Sequence, residues 1–147
     1  FQNKMSHSFN KIWIHAIWST KNRAELIDFS FEKEVYDFIY QELVDLGCQV
    51  RIINGMPDHV HALFLLNPQK SITDVMKAIK GSSSHLINGS DLMLEKFAWQ
   101  TGYAAYSVSE SQLEKVFHYI KNQKAHHLKQ SSQDEFDEFV KLNGLLK

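Results

Sequence analysis

The sequence predicts an α+β fold: a ferredoxin-like, split β-α-β sandwich with an antiparallel central sheet and helices on both sides. Three observations support this. Segments of period-two and period-3.6 hydrophobicity follow one another in the order strand, helix, strand, strand, helix, strand, helix. Asn54-Gly55-Met56-Pro57-Asp58 separates the second and third strands as a hairpin signal, so those two pair antiparallel. The first strand is apolar on both faces and therefore needs cover on both sides.

Lys11 to Thr20 forms that first strand, with Ile12, Ile14, Ala16 and Trp18 on one face and Trp13, His15 and Ile17 on the other. Lys21-Asn22-Arg23 follows as a short basic loop. Ser30 is the expected N-cap of a helix whose Val35, Phe38, Ile39, Leu43 and Leu46 recur at helical spacing, and Gly47 closes it. Gln49 to Asn54 is the second strand, and the third carries His59-Val60-His61-Ala62-Leu63-Phe64-Leu65. Ser71 and Asp74 cap the next helix, with Ile72, Val75, Met76, Ile79, Ser83, Leu86 and Ile87 as its buried stripe. A short extended piece runs from Tyr103 to Val108. Ser109 and Gln112 then open a helix expected to continue to about His127, with Leu113, Val116, Phe117 and Ile120 inward. Phe136, Phe139, Val140 and Leu142 suggest a last short helix.

Composition narrows the function classes. The 147 residues, 44% of them hydrophobic, suit one packed domain, taken as residues 5–147; residues 1–4 precede Met5 and are expected to be an appended remnant. A net charge of -1 excludes a strongly basic whole-molecule field, so nucleic-acid binding needs a local patch. Cys48 is the one cysteine, which excludes an internal disulfide and a cysteine-rich zinc site and points to a reducing, cytoplasmic setting. No apolar run reaches the roughly 20 residues of a membrane span.

The chemistry gathers on the third strand. Residues i and i+2 share a strand face, so His59 and His61 stand side by side, while Val60, Ala62 and Phe64 face the core. Two imidazoles can bind a divalent metal if a third ligand arrives. Tyr119 and Gln123 are four apart on the last long helix, on one face of it. Gln123 offers a carbonyl oxygen suited to Mg²⁺ or Mn²⁺, and Tyr119 a phenol. Singly, each has an ordinary explanation: polar strand ends for the histidines, a half-buried ring with a wet hydroxyl for the tyrosine. His15 reads as a core histidine with one nitrogen satisfied, His126 and His127 as a solvated helix end, and Trp99 as a core residue.

Together, Met56-Pro57-Asp58-His59-Val60-His61 and, roughly sixty residues on, Tyr119-Ile120-Lys121-Asn122-Gln123 resemble the HUH single-tyrosine transposases of the smallest bacterial insertion sequences, relatives of rolling-circle replication initiators. Lys21-Asn22-Arg23, Ile79-Lys80-Gly81-Ser82-Ser83 and Trp99-Gln100-Thr101-Gly102-Tyr103 extend the likeness over nearly the whole chain. The resemblance implies metal ligands at His59, His61 and Gln123, a nucleophile at Tyr119, and cutting and rejoining of single-stranded DNA at hairpin-marked ends. It further implies a homodimer in which the tyrosine helix of one subunit can complete the site of the other. Lys21, Arg23, Lys77, Lys80 and Ser82 are the candidate DNA contacts, with a solvated face as the alternative for each. Two other functions remain open: a domesticated protein that binds hairpin DNA or RNA without cutting, and a metal-dependent hydrolytic single-strand nuclease.

Overall fold

The computed structural model describes residues 9–126. Met5, the expected helix at 136–142 and His127 lie outside the described residues, as does the acidic stretch 134–138.

Four strands form one antiparallel sheet: β1 (Trp13–Ser19), β2 (Gln49–Met56), β3 (His59–Leu65) and β4 (Ala104–Val108), in the spatial order β2-β3-β1-β4. This is the arrangement the alternation of elements predicts. Helices α1 (Glu32–Asp45) and α2 (Ile72–Asn88) cover one face, and α3 (Leu113–Lys121) the other.

The pleat of β1 and β3 separates two cores. Ile14, Ala16, Trp18, Val60, Ala62 and Phe64 pack against Val35, Ile39 and Leu43 of α1 and Val75, Met76, Ile79 and Ile87 of α2. On the opposite face Trp13 and Leu63 pack against Leu113 and Ile120 of α3. The second core is smaller because the same face also holds the histidines. Arg51 fastens α3 to β2 by an ion pair with Glu114, and its guanidinium lies 5.1 Å from the Phe117 ring centroid.

Local structure departs from the expected boundaries at four places. Helix α1 begins at Glu32 with Phe31 in the cap position, because Asp28 Oδ1 already accepts the Ser30 N–H at 2.9 Å and makes a turn there. The hairpin turns at Pro57-Asp58, with Met56 paired to His59, and Asn54-Gly55 stays inside β2. Gly55 is required there by close approach: a Cβ would run into the carbonyl oxygen of His59. In α2, Ser71 Oγ accepts the Asp74 N–H at 3.0 Å as expected, but Leu86 faces outward, 42% exposed. Finally, the last helix is not continuous. A 3₁₀ turn at Glu110–Gln112 precedes α3, which stops at Lys121, and a short α4 (Gln123–His126) follows beyond Asn122. No helix among the described residues is long and apolar enough to cross a membrane.

Candidate active site

β3 brings His59 and His61 to the α3 face, both buried, with ring centroids 5.0 Å apart. Strand pairing sets their neighbours. His59 lies opposite Ser19 and Met56, and His61 opposite Ile17 and Asn54. His15, two residues from Ile17 along β1 and opposite Leu63, shares the same face.

Each imidazole is held at Nδ1. Asp58 Oδ1 lies 2.7 Å from His59 Nδ1. A carboxylate only accepts, so His59 Nδ1 carries a proton, and in the neutral imidazole the Nε2 lone pair then faces inward. His15 Nε2 lies 2.9 Å from His61 Nδ1. With that Nδ1 donating, His61 also presents Nε2. His15 is buried, as expected, and the partner of its Nε2 belongs to the pair itself. Such outer contacts fix tautomer and ring orientation in metal sites.

The tyrosine segment closes over them within the same chain. The Tyr119 ring stands edge-on to His61 at 5.8 Å between centroids and to His15 at 6.3 Å. Gln123 is fully buried, with Oε1 3.2 Å from His59 Nε2. Its Nε2 has no hydrogen-bond partner among the described residues. Two lone pairs facing each other at 3.2 Å repel unless a proton or a cation lies between them. That spacing also matches two neighbouring ligands of one ion bound at about 2.1 Å, which stand about 3.0–3.4 Å apart. Among the described residues, no group of three His, Cys, Asp or Glu side chains is placed to hold a metal ion by itself. A metal held here would have two imidazoles, which suit Zn, Cu, Fe or Ni, and an amide oxygen, which suits Mg or Mn.

The candidate DNA contacts divide. Arg23 reaches the site, its Nε 3.5 Å from Asp58 Oδ2. Lys21 is exposed on the same loop, and Asn22 and Arg23 both have positive φ, 57° and 55°. Lys77, Lys80 and Ser82 ride on α2, across the sheet from the histidines. Lys77 is exposed, whereas Lys80 Nζ donates to the carbonyls of Gln100 and Gly102, both at 2.7 Å, and burial lowers its pKa. Trp99 is packed edge-on against Trp18 and Phe97, with its N–H on Ser83 Oγ at 2.9 Å.

Comparison with known proteins places this arrangement. The family described as "Transposase IS200 like" matches residues 8–123, a span that ends on the buried glutamine. The chain belongs to the IS200-like transposases. The ISDra2 transposase TnpA of Deinococcus radiodurans is 30% identical to it over 114 residues, covering 74% of this chain and 81% of that protein. A solved structure of a proposed transposase from Deinococcus radiodurans R1 superposes with TM-score 0.66 at 28% identity, over 83% of this chain and 98% of that one. A REP-associated tyrosine transposase bound to a REP hairpin superposes with TM-score 0.57 at 14% identity, over 87% and 74% of the two chains, a likeness of fold.

Three residues of this transposase make contacts that sequence reasoning did not anticipate: Asp58 with His59 Nδ1, Asn54 with the carbonyls of Ile120 and Lys121, and Lys124 with Asn54 Oδ1 and the Gly55 carbonyl. Asp58 was visible beside His59, and a carboxylate one residue from an imidazole is a usable signal. Asn54 and Lys124 gave none, since their positions depend on strand register and on where α3 stops.

Proposed function

We propose that this transposase cuts and rejoins single-stranded DNA at hairpin-marked element ends through a covalent bond between Tyr119 and a 5′ phosphate. The observation that carries the reading is the approach of Gln123 Oε1 to His59 Nε2 on the face where Tyr119 packs against His61.

His59, His61 and Gln123 would hold Mg²⁺ or Mn²⁺. When bound, the cation neutralises charge on the scissile phosphate and makes phosphorus more electrophilic. The protein's own part is positional. Asp58 and His15 hold both imidazoles with Nε2 inward. The Tyr119 oxygen attacks phosphorus and gives up its proton; the bond to the 3′ oxygen breaks, and that oxygen leaves as a hydroxyl after taking up a proton. The phosphate is kept as a tyrosine ester, so a second 3′-hydroxyl can displace Tyr119 and join strands without another energy source. One such tyrosine per chain makes paired cuts a task for two chains, which supports a homodimer. The chemistry suits a cytoplasmic protein acting on DNA, with 5–147 as one domain.

The test uses labelled single-stranded DNA from the ends of the protein's own element, with Mg²⁺ or Mn²⁺. A protein–DNA adduct is expected, and Tyr119→Phe should abolish it. Cleavage that survives Tyr119→Phe would point to a hydrolytic nuclease, and hairpin binding with no cleavage to a domesticated binder.

A further inference from the structure

Tyr119 and Gln123 serve one face of the sheet although the helix between them ends. The cause lies on β2. Asn54 pairs opposite His61, so its side chain rises on the histidine face beneath the end of α3. Its Nδ2 donates to the carbonyls of Ile120 at 2.9 Å and Lys121 at 3.2 Å. In a continuing α-helix those carbonyls would accept the N–H groups of Lys124 and Ala125. Asn54 takes their place, the helix stops at Asn122, and the chain re-forms as α4.

Lys124 then fixes the new segment. Its ammonium lies 2.9 Å from Asn54 Oδ1, 2.6 Å from the Gly55 carbonyl and 3.0 Å from Glu32 Oε1. Three acceptors use all three ammonium protons. The Phe29 and Tyr36 ring centroids lie 5.6 and 5.8 Å from Nζ. Glu32 and Tyr36 belong to α1, on the far face of the sheet, so Lys124 reaches round the edge strand β2 to a socket there. The amide of Asn54 is held at both ends, by α3 through nitrogen and by Lys124 through oxygen. Between these two anchors Gln123 has its side chain fully buried beside His59.

We propose that Asn54 and Lys124, with Glu32 as counter-ion, are positioning residues that hold Gln123 as the third ligand of the metal site. The proposal rests on the reading of Gln123 as a ligand. The three residues act through Gln123: they set where its amide oxygen stands.

The full chain is tested as wild type, Lys124→Met, Lys124→Arg, Asn54→Ala and Gln123→Ala. Two readouts are used: free Mn²⁺ by electron paramagnetic resonance, and hydrogen–deuterium exchange of the segment 119–126. Lys124→Met keeps the hydrocarbon stem and stays folded even if Asn54→Ala does not. Lys124→Met and Asn54→Ala should raise exchange in 119–126, leave β3 and α2 unchanged, and weaken Mn²⁺ binding by about tenfold, the scale of losing an outer contact in a metal site. Lys124→Arg should restore part of both. If Gln123→Ala weakens Mn²⁺ binding while Lys124→Met and Asn54→Ala leave it at the wild-type value, positioning is overturned and the ligand reading stands. If Gln123→Ala binds Mn²⁺ like wild type, the ligand reading fails, and with it the claim that the anchors serve the metal. Unchanged exchange in Lys124→Met overturns the anchoring itself.

Discussion

Asp58 joins two side chains of different reach: the His59 imidazole on Oδ1 and the Arg23 guanidinium on Oδ2. Its backbone carbonyl is also held, by the Thr20 N–H at 2.9 Å. Asp58 is therefore held by Arg23 at its carboxylate and by Thr20 at its backbone while it orients the histidine. Asp58→Asn keeps the shape but removes the charge that favours the Nδ1–H tautomer. Metal affinity should fall by about 10–100-fold, measured by Mn²⁺ titration, with the thermal midpoint nearly unchanged. A tautomer effect of this kind acts on the metal and not on the core, which separates it from simple destabilisation.

At the scale of elements, β3 serves two purposes by alternation. Val60, Ala62 and Phe64 belong to the larger core, and His59, His61 and Leu63 to the α3 face. A one-residue slip against β2 would exchange them, so register is also site geometry. Gly55 guards that register by its closeness to His59. Gly55→Ala should push the strands apart at the histidine, costing on the order of 1–3 kcal/mol in denaturant unfolding and weakening Mn²⁺ binding together. The strands, the two-histidine face and the α3 cover were all legible, because hydrophobic period and strand alternation are local properties. The break at Asn122 was not. Tyr119 to His126 reads as continuous helix by spacing alone, and what interrupts it is Asn54, far away in sequence and brought near only by the sheet. The hairpin falls within the expected stretch from Asn54 to Asp58 but is narrower for a similar reason: Asn54-Gly55 has turn chemistry, yet Gly55 is used for close packing and Pro57-Asp58 makes the turn.

Over the whole molecule, a net charge of -1 provides no general attraction for a polyanion. Binding must come from few contacts, and the structure separates the candidates: Lys21 and Arg23 beside the site, Lys77 across the sheet, Lys80 already occupied by two carbonyls. The salt dependence of single-strand binding should therefore be shallow. Lys21→Ala should reduce the slope of log K against log salt by about 0.7, the value for one phosphate contact on a single strand. Fluorescence anisotropy across a salt series measures it; an unchanged slope would remove Lys21 from the DNA surface.

The paired left-handed residues Asn22 and Arg23 have an energetic consequence. Neither is glycine; asparagine tolerates this region, whereas at Arg23 it costs on the order of 1–3 kcal/mol. The loop is held in it by Lys21 N–H on Ala98 O at 3.0 Å, Asn22 N–H on Gln100 Oε1 at 2.9 Å and Arg23 N–H on Thr20 O at 3.0 Å. Through Arg23 the loop rests on Asp58. Gln100→Ala removes one catch without touching the site; exchange at 21–24 should rise and Mn²⁺ binding weaken while the global unfolding midpoint stays put. Energy stored in a surface loop would then be available, through one carboxylate, to the histidine beneath it.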